Sequence, residues 1–276
     1  MNQVLKLTSY ILLLLLPISI SSCQKNAEGR MALTFASDSS LNDQSQKAYT
    51  DLKKKSKISR NSKWTKINKR VGDRIIAAAK AIYPNESKGF KWEVTLFDEA
   101  KTVNAFCMPG GKIGIYTGIL KVCQNEAALA AVMGHEVAHA LLKHSNERVS
   151  HGQLSSAILK VGEVALGQTE TSETTKKVAM AVGGYGLQLG FMLPYSRTHE
   201  TESDRMGLKL LAKAGYDPKE APNLWRRMKA GSSSKVPGFL STHPSHDKRI
   251  NDLESMQAQV MGLYNKSPKY GKGEKL

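Results

Sequence analysis

Residues 133–144 read MGHEVAHALLKH, and this stretch decides what kind of domain the chain can form. His135 and His139 stand four residues apart, so on a helix they share one face and can aim two imidazoles at one metal ion. Glu136 lies beside them, near enough to hold an attacking water without ligating the metal. The arrangement supplies two zinc ligands and a general base. Chance would produce it in about one chain of this size in a hundred, so it needs a third ligand in support.

That third ligand is expected from a second helix. The metzincin continuation requires Gly and His where this chain has Leu142 and Ser145, so that class is excluded. Further on, Glu200 and Asp204 are again four residues apart within the stretch YSRTHETESDRMGLKLLAKAGYDP. One carboxylate can bind zinc while the other orients a ligand histidine. Taken alone, these would be two exposed acids on a helix face; the upstream motif favours the metal site. Glu202 would point about 200° away and is the weaker candidate.

Periodicity predicts an α+β fold that is mainly helical, with a small β-sheet beside the His-Glu-x-x-His helix. That helix is apolar on most faces, which places it at the centre of the domain. Alternation and turn residues predict a strand over 91–98 and a hairpin or bent strand pair over 103–118. Helices are predicted over residues 62–83, 125–144, 150–166, 175–193, 197–214, 218–230 and 243–264.

The first 22 residues have the pattern of a secretory signal peptide, because their apolar run is too short to cross a bilayer. Ile-Ser-Ser before Cys23 resembles a bacterial lipoprotein box, in which the cysteine becomes lipid-modified; the alternative is an ordinary signal peptide and a free Cys23. We expect an anchor and flexible tether over 23–50, a peptidase domain over 51–264 and a basic flexible tail over 265–276.

The net charge is +16, and residues 51–70 are densely basic. A nucleic-acid role is not expected, because no aromatic residues are interleaved with the basic residues and no nucleic-acid fold signature is present. A basic stretch near a lipid anchor can lie against an anionic membrane, or it can be a solvated face with no specific partner. Cys107 and Cys123 can pair or simply pack in the core, and the sequence leaves this open.

Four ordered segments resemble the gluzincin metallopeptidase family that includes HtpX, the CAAX prenyl endopeptidases and a periplasmic lipoprotein branch typified by BepA, LoiP and YcaL. They span roughly residues 104–250 and read NAFCMPGGKIGIYTGIL, AAVMGHEVAHALLKH, YSRTHETESDRMGLKLLAKAGYDP and STHPSHDKRI. The resemblance implies one Zn²⁺ per chain on His135, His139 and Glu200. It implies Glu136 as general base and Asp204 as the partner of a ligand histidine.

The same resemblance assigns the last segment to the reaction. His243 and Arg249 are the candidates for stabilising the oxyanion, and His243 can also act as a reversible fourth ligand that shuts the site. His246, three residues on, can be confused with His243, and His243 can alternatively cap a helix beside Pro244. His144 and His151 are not needed as ligands, so we expect both to be solvated.

Substrate binding is expected on the strand Lys112, Ile113, Gly114, Ile115 and Tyr116, because an exposed strand edge beside the zinc helix can pair with an extended peptide. The function that follows is a zinc endopeptidase of the bacterial cell envelope that cleaves unfolded or misassembled proteins. It would be anchored through Cys23, face the periplasm, favour the outer membrane over the inner one, and have the envelope assembly machinery as a partner. The rival hypotheses are a gated or silent chaperone of the same fold and a lipoprotein that binds acidic polymers.

Overall fold

The structure is a computed structural model, and it describes residues 23–165, 172–174, 196–230, 239–243 and 247–276. Its strands are β1 (Cys23–Lys25), β2 (Met31–Leu33), β3 (Glu93–Phe97), β4 (Ala105–Met108) and β5 (Lys112–Tyr116). Its longer helices are α1 (Asp38–Lys55), α2 (Ser62–Ile82), α4 (Glu126–Leu141), α5 (His144–Ala165), α6 (Arg197–Lys213), α7 (Glu220–Ala230) and α9 (Asp247–Asn265). Two short helices are α3 (Thr117–Cys123) and α8 (Phe239–Thr242). The predicted mainly helical α+β class is confirmed.

Helix α4 forms the centre of the domain. All of its residues are buried, and helices α2, α6 and α7 and strand β4 pack around it. Asn125 caps its N-terminus as predicted, since the side-chain oxygen accepts a hydrogen bond from the Ala128 backbone N–H at 2.9 Å. A helix without a polar face has to be enclosed on every side. Its histidines are therefore held in a rigid setting.

Helices α4 and α6 cross at two glycines. A Cβ atom on Gly207 would lie 3.0 Å from the backbone nitrogen and Cα of His135, and one on Gly134 would lie 3.0 Å from the Gly207 carbonyl oxygen. Only the absence of side chains lets the two backbones come this close. The crossing brings the first turns of α6, with their carboxylates, against the face of α4 that carries the histidines.

The sheet has three strands in the order β3-β5-β4, with β3 parallel and β4 antiparallel to β5. Strand β5 is therefore central and hydrogen-bonded on both sides. Strand β4 is the edge that packs against α4. The expectation that β5 offers a free edge to substrate is wrong, because β3 and β4 already occupy both of its hydrogen-bonding sides.

The N-terminal segment is not the flexible tether that its polar composition indicates. Strands β1 and β2 pair antiparallel, and α1 follows with Ser37 as its cap. Leu41, Ser45 and Tyr49 are buried at spacings of four residues, and the Tyr49 hydroxyl donates to the Ile113 carbonyl at 2.8 Å. The composition did not predict this helix, because its buried face contains a serine and a tyrosine and the rest of the segment is mostly polar.

The C-terminal tail is also ordered where a flexible basic tail was expected. The backbone N–H groups of Glu126 and Ala127 donate to the carbonyls of Glu274 and Lys272 at 3.0 and 3.1 Å. The first turn of a helix has N–H groups without helical acceptors, and the tail supplies two of those acceptors to α4. Leu276 closes the contact by donating from its backbone to Gln124 at 3.0 Å.

Several smaller expectations are corrected or resolved. Helix α5 begins at His144 rather than near residue 150, and the last helix begins at Asp247 rather than at His243. Cys107 and Cys123 are buried free thiols, and burial raises the pKa of Cys123 to about 12. No helix among the described residues is long and apolar enough to cross a membrane. The helix predicted over 175–193 lies outside the described residues.

Candidate metal centre

Four buried side chains from three parts of the fold converge on one point. Helix α4 contributes His135 and His139, helix α6 contributes Glu200, and the segment that follows α8 contributes His243. One ligand atom from each lies within 4.8 Å of the others. Two helices and the end of a third segment therefore assemble three imidazoles and one carboxylate around a common centre.

The spacing of these atoms fits zinc. His135 Nε2 lies 3.1 Å from His139 Nε2 and 3.2 Å from His243 Nδ1, and His243 Nδ1 lies 3.0 Å from Glu200 Oε1. Tetrahedral ligands placed about 2.0–2.1 Å from a zinc ion are about 3.3 Å from one another. Imidazole nitrogens with a carboxylate oxygen are also the donor set that zinc takes in proteins. The residues present can hold one zinc ion.

Asp204 and Arg249 support the ligands from behind. Asp204 Oδ1 lies 3.1 Å from Nδ1 of His135, on the side of the ring away from the other ligands. The Arg249 guanidinium donates to both oxygens of Asp204 at 2.7 and 2.6 Å and lies 2.5 Å from Glu200 Oε2. Such an outer partner fixes the orientation and tautomer of a ligand histidine. The structure thus places Asp204 beside His135.

Arg249 has a different place from the one the resemblance implies. It is buried against Trp225, with its guanidinium carbon 3.8 Å from the ring centre, and its charge is shared by Asp204 and Glu200. A cation bound to two carboxylates behind the ligands is not directed at a substrate oxyanion. We therefore correct its expected contribution: Arg249 orients Glu200 and Asp204.

The electrostatics of the centre follow from burial and charge. Burial alone would lower the pKa of His135, but the Asp204 and Glu200 carboxylates raise it to about 9. Burial would raise the pKa of Glu200, but His243 and Arg249 hold it well below its usual range. A metal ion and a proton compete for the same imidazole nitrogen, so metal binding releases the proton of His135.

Glu136 and His243 face each other across the centre. His243 Nε2 lies 3.3 Å from Glu136 Oε1, while its Nδ1 lies among the ligand atoms. The ring stacks on Phe239 at 4.5 Å, and the Phe239 backbone N–H donates to the Val103 carbonyl at 2.8 Å. His243 thus occupies the place between the ligands and Glu136. His246 lies outside the described residues.

Sequence reasoning missed one residue of this region. His144 is fully buried rather than solvated, and its Nδ1 lies 2.9 Å from Nδ1 of His139. Five residues after His139, it would leave the ligand face if the helix continued. His144 reaches the ligand face only because the helix ends before it, and no motif in the sequence predicts that helix end. His151 is exposed, as expected.

A His-Glu-x-x-His helix beside a small sheet, with a carboxylate supplied by a second helix, defines a zincin-like metallopeptidase domain. The comparison of sequences identifies the family. The chain belongs to Peptidase family M48, whose profile matches residues 65–257. Helices α4 and α6, His243 and Arg249 all lie within this range.

The relatives carry metalloendopeptidase or protease names. The chain is 37% identical over 195 residues to the mitochondrial metalloendopeptidase OMA1 of Schizosaccharomyces pombe, covering 69% of this chain and 53% of that protein. It is 32% identical over 186 residues to OMA1 of Saccharomyces cerevisiae, covering 65% and 51%. It is 29% identical over 162 residues to the beta-barrel assembly-enhancing protease of Escherichia coli, covering 57% and 33%. The chain thus spans about half or less of these relatives.

Proposed function

We propose that this protein is a zinc-dependent endopeptidase that cleaves extended or unfolded polypeptides. One observation carries the proposal: His135, His139 and Glu200 form a buried zinc-type donor set with the Glu136 carboxylate beside it. A set of donors without a general base would indicate a structural metal site. The presence of the acid at the centre favours hydrolysis.

Different residues have different roles in the proposed hydrolysis. A bound zinc ion supplies Lewis acidity, which polarises a scissile carbonyl and makes a water in the site more acidic. Burial raises the pKa of Glu136, which makes its carboxylate a better proton acceptor. Glu136 takes the proton from the attacking water and passes it to the departing amine. Asp204 and Arg249 keep His135 and Glu200 in place throughout.

Strand β4 is the proposed surface for substrate. It is the sheet edge next to α4, so an extended peptide can add to it as a further strand and pass the metal ligands. Pairing of this kind reads the backbone more than the side chains, which suits unfolded substrates of varied sequence. The Phe239 backbone already bonds to Val103, just before β4 begins. The segment that carries His243 therefore lies across the start of this edge.

The placement of His243 makes this conformation a closed one. Replacing His243 with Ala is expected to raise the rate of casein cleavage several-fold, because it frees the position between the ligands and Glu136. The rate at saturating casein, compared with that of the unmutated protein, measures the effect. A loss of cleavage with zinc still bound would instead show that His243 takes part in the reaction.

The proposal is tested first by zinc content and casein cleavage. The purified protein is expected to hold one zinc ion and to cleave casein; a chelator should abolish cleavage, and added zinc should restore it. His135→Ala should lose both properties. One zinc ion without any cleavage, even after His243→Ala, would favour the rival hypothesis of a chaperone with a silent site. A protein without zinc would overturn the site.

The proposed setting is the envelope of a bacterium, where the protein would act in quality control. The lipoprotein-like sequence before Cys23 supports this, and Cys23 is exposed. The Escherichia coli relative is named for assembly of β-barrels, while the names of the OMA1 relatives refer to mitochondria. Outer-membrane attachment and a periplasmic site of action belong to this proposal, as does a partner in the assembly machinery.

The lipid anchor has a direct test. Cys23→Ser should move the protein from the membrane fraction to the soluble fraction of cells that express it, because lipid chains attached to the cysteine would supply the membrane affinity. Incorporation of a labelled fatty acid should be lost in parallel. Unchanged fractionation and absence of label in the unmutated protein would refute lipidation.

The net charge alone overstates the case for the alternative function, a lipoprotein that binds acidic polymers. Within residues 51–70, Lys57 pairs with Asp98 at 2.6 Å and Lys69 with Asp73 at 2.6 Å, and Lys53 pairs with Glu93. Carboxylates thus neutralise part of this run within the fold. The metal centre remains the feature that defines the function.

A further inference from the structure

The two zinc-type histidines of α4 are supported from behind in two different ways. His135 meets Asp204 directly, and Arg249 holds that carboxylate. His139 meets another histidine, His144, with the two Nδ1 atoms 2.9 Å apart. We propose that His144 is a positioning residue for His139, acting at the head of a hydrogen-bond chain that runs through Glu202 to Arg30. The inference rests on the proposed zinc function and deepens it.

The backbone is shaped to bring His144 into this place. Helix α4 ends at Leu141, Leu142 is still near-helical, and Lys143 has a φ of +59°. A left-handed conformation costs free energy for a residue other than glycine, so it persists where the surrounding structure requires it. A continued helix would turn His144 about 140° away from His139. The left-handed conformation of Lys143 reverses the backbone and brings the His144 side chain next to His139.

The hydrogen-bond chain determines which nitrogen carries the proton in the rings of His139 and His144. Nε2 of His139 faces the other ligand atoms, 3.1 Å from His135 Nε2 and 3.4 Å from Glu200 Oε1, so it must carry the lone pair when a metal binds. The single proton of the neutral ring is then on Nδ1, which donates to Nδ1 of His144. His144 consequently carries its own proton on Nε2, which lies 3.0 Å from Glu202 Oε2 and donates to it.

Arg30 fixes the far end of the chain. Its Nε donates to Glu202 Oε1 at 2.7 Å, and its two terminal nitrogens donate to Glu147 at 2.8 and 2.7 Å. Glu147 in turn lies 3.1 Å from Nε2 of His199, whose ring stacks on that of His144 at 4.2 Å. The guanidinium thus holds two carboxylates, each against one of two stacked imidazoles. The rings of His144 and His199 are therefore both fixed in position and orientation.

The two supports are equivalent in chemistry. In each, an arginine holds a carboxylate, and the carboxylate determines which nitrogen of the next imidazole carries a proton. The difference is that a second imidazole lies between the carboxylate and His139. Any buried histidine needs hydrogen-bond partners for both of its nitrogens. The observation that points to a positioning role is that one partner of His144 is Nδ1 of His139, a zinc-type ligand, while the other is a carboxylate held by an arginine.

The test compares zinc affinity in folded variants. His144→Phe keeps a ring of similar volume but cannot accept from His139, and its zinc affinity is expected to fall about 10–100-fold, the range seen when such partners are removed. His144→Asn places an oxygen near the position of Nδ1 and is expected to keep an intermediate affinity. Leu154→Phe, at an exposed position of the same helix, is the control and should bind zinc as the unmutated protein does.

Affinity is measured by competition with a chromogenic chelator, and the melting temperature of each metal-free variant is recorded alongside. A purely structural His144 would lower the melting temperature while leaving the zinc affinity of the folded protein unchanged, which would overturn the inference. Zinc bound equally well by His144→Phe would overturn it without touching the proposed function. A lack of zinc in the unmutated protein would overturn both.

A second measurement needs no variant and decides the matter if His144→Phe fails to fold. In the ¹⁵N-histidine NMR spectrum of the zinc-loaded protein, a scalar coupling across the hydrogen bond should connect Nδ1–H of His139 with Nδ1 of His144. The Nε2 of His144 should carry the proton. A His144 ring protonated on Nδ1, or the absence of this coupling, would refute the chain of donors described above.

Discussion

Replacing Glu136 with Gln is expected to leave zinc bound and to lower casein cleavage by about 10²–10⁴-fold. Glutamine has nearly the same size and can still hydrogen-bond, but it cannot take a proton from water. Its side chain would occupy the same position, 3.3 Å from Nε2 of His243, so the ligand set should be undisturbed. Initial rates with equal amounts of zinc-loaded protein measure the effect.

The stability of the same variant should not fall. In the metal-free protein, burial raises the pKa of Glu136, so ionisation of this carboxylate at neutral pH destabilises the folded state relative to the unfolded chain. Removing the charge should keep or raise the melting temperature. Unimpaired cleavage by zinc-loaded Glu136→Gln would rule out Glu136 as the base.

Glu126→Gln provides a matched control at the other end of the same helix. Burial would raise the pKa of Glu126, but Arg70 and Tyr216 lower it, so its charge stabilises the fold above its unfolded pKa, and this stability is lost as the pH falls. This variant should lose stability at neutral pH and keep its rate per folded molecule. The opposite behaviour of two buried glutamates on α4 would separate catalysis from folding.

Much of this domain follows from local pattern. The spacing of His135 and His139, the cap at Asn125 and the pair Glu200 and Asp204 could be predicted because each depends on positions four residues apart or on one capping residue. Such features require only that the segment be helical. The mainly helical class and the order of the longer elements from α2 onward followed in the same way.

What could not be predicted depends on contacts between distant segments. The tail of the chain caps α4, and Arg30 reaches Glu147 and Glu202 from more than a hundred residues away. Neither segment is apolar, so composition indicates flexibility although the backbone and charges find partners in the fold. The central position of β5 likewise depends on strand pairing, which alternation does not specify.

The crossing of α4 and α6 lies between these two cases. Nothing in the local pattern of Gly207 shows that it differs from any other helical glycine, which would be expected to cost about 1 kcal/mol relative to alanine. Its value appears only when α6 is placed on α4, where a Cβ atom would meet the His135 backbone. The metal centre therefore depends on a residue that contributes no ligand.

Gly207→Val is accordingly expected to destabilise the protein by about 1–3 kcal/mol and to weaken zinc binding sharply. The new side chain would press on backbone atoms at 3.0 Å, which cannot rotate away, so the helices must separate. Separation moves Glu200 and Asp204 away from His135, and the ligand spacing suited to zinc is lost. Melting temperature and zinc content measure the two effects.

Gly262→Val in α9 is the control, because a Cβ there has no neighbour within 4 Å. It makes the same substitution in a helix, so it should leave zinc content unchanged and alter stability little. If Gly207→Val behaved like Gly262→Val, the close contact of α4 and α6 would not be what holds the ligands together. If only Gly207→Val lost zinc, the distance between two helix backbones would be established as the property that sets the geometry of the metal centre.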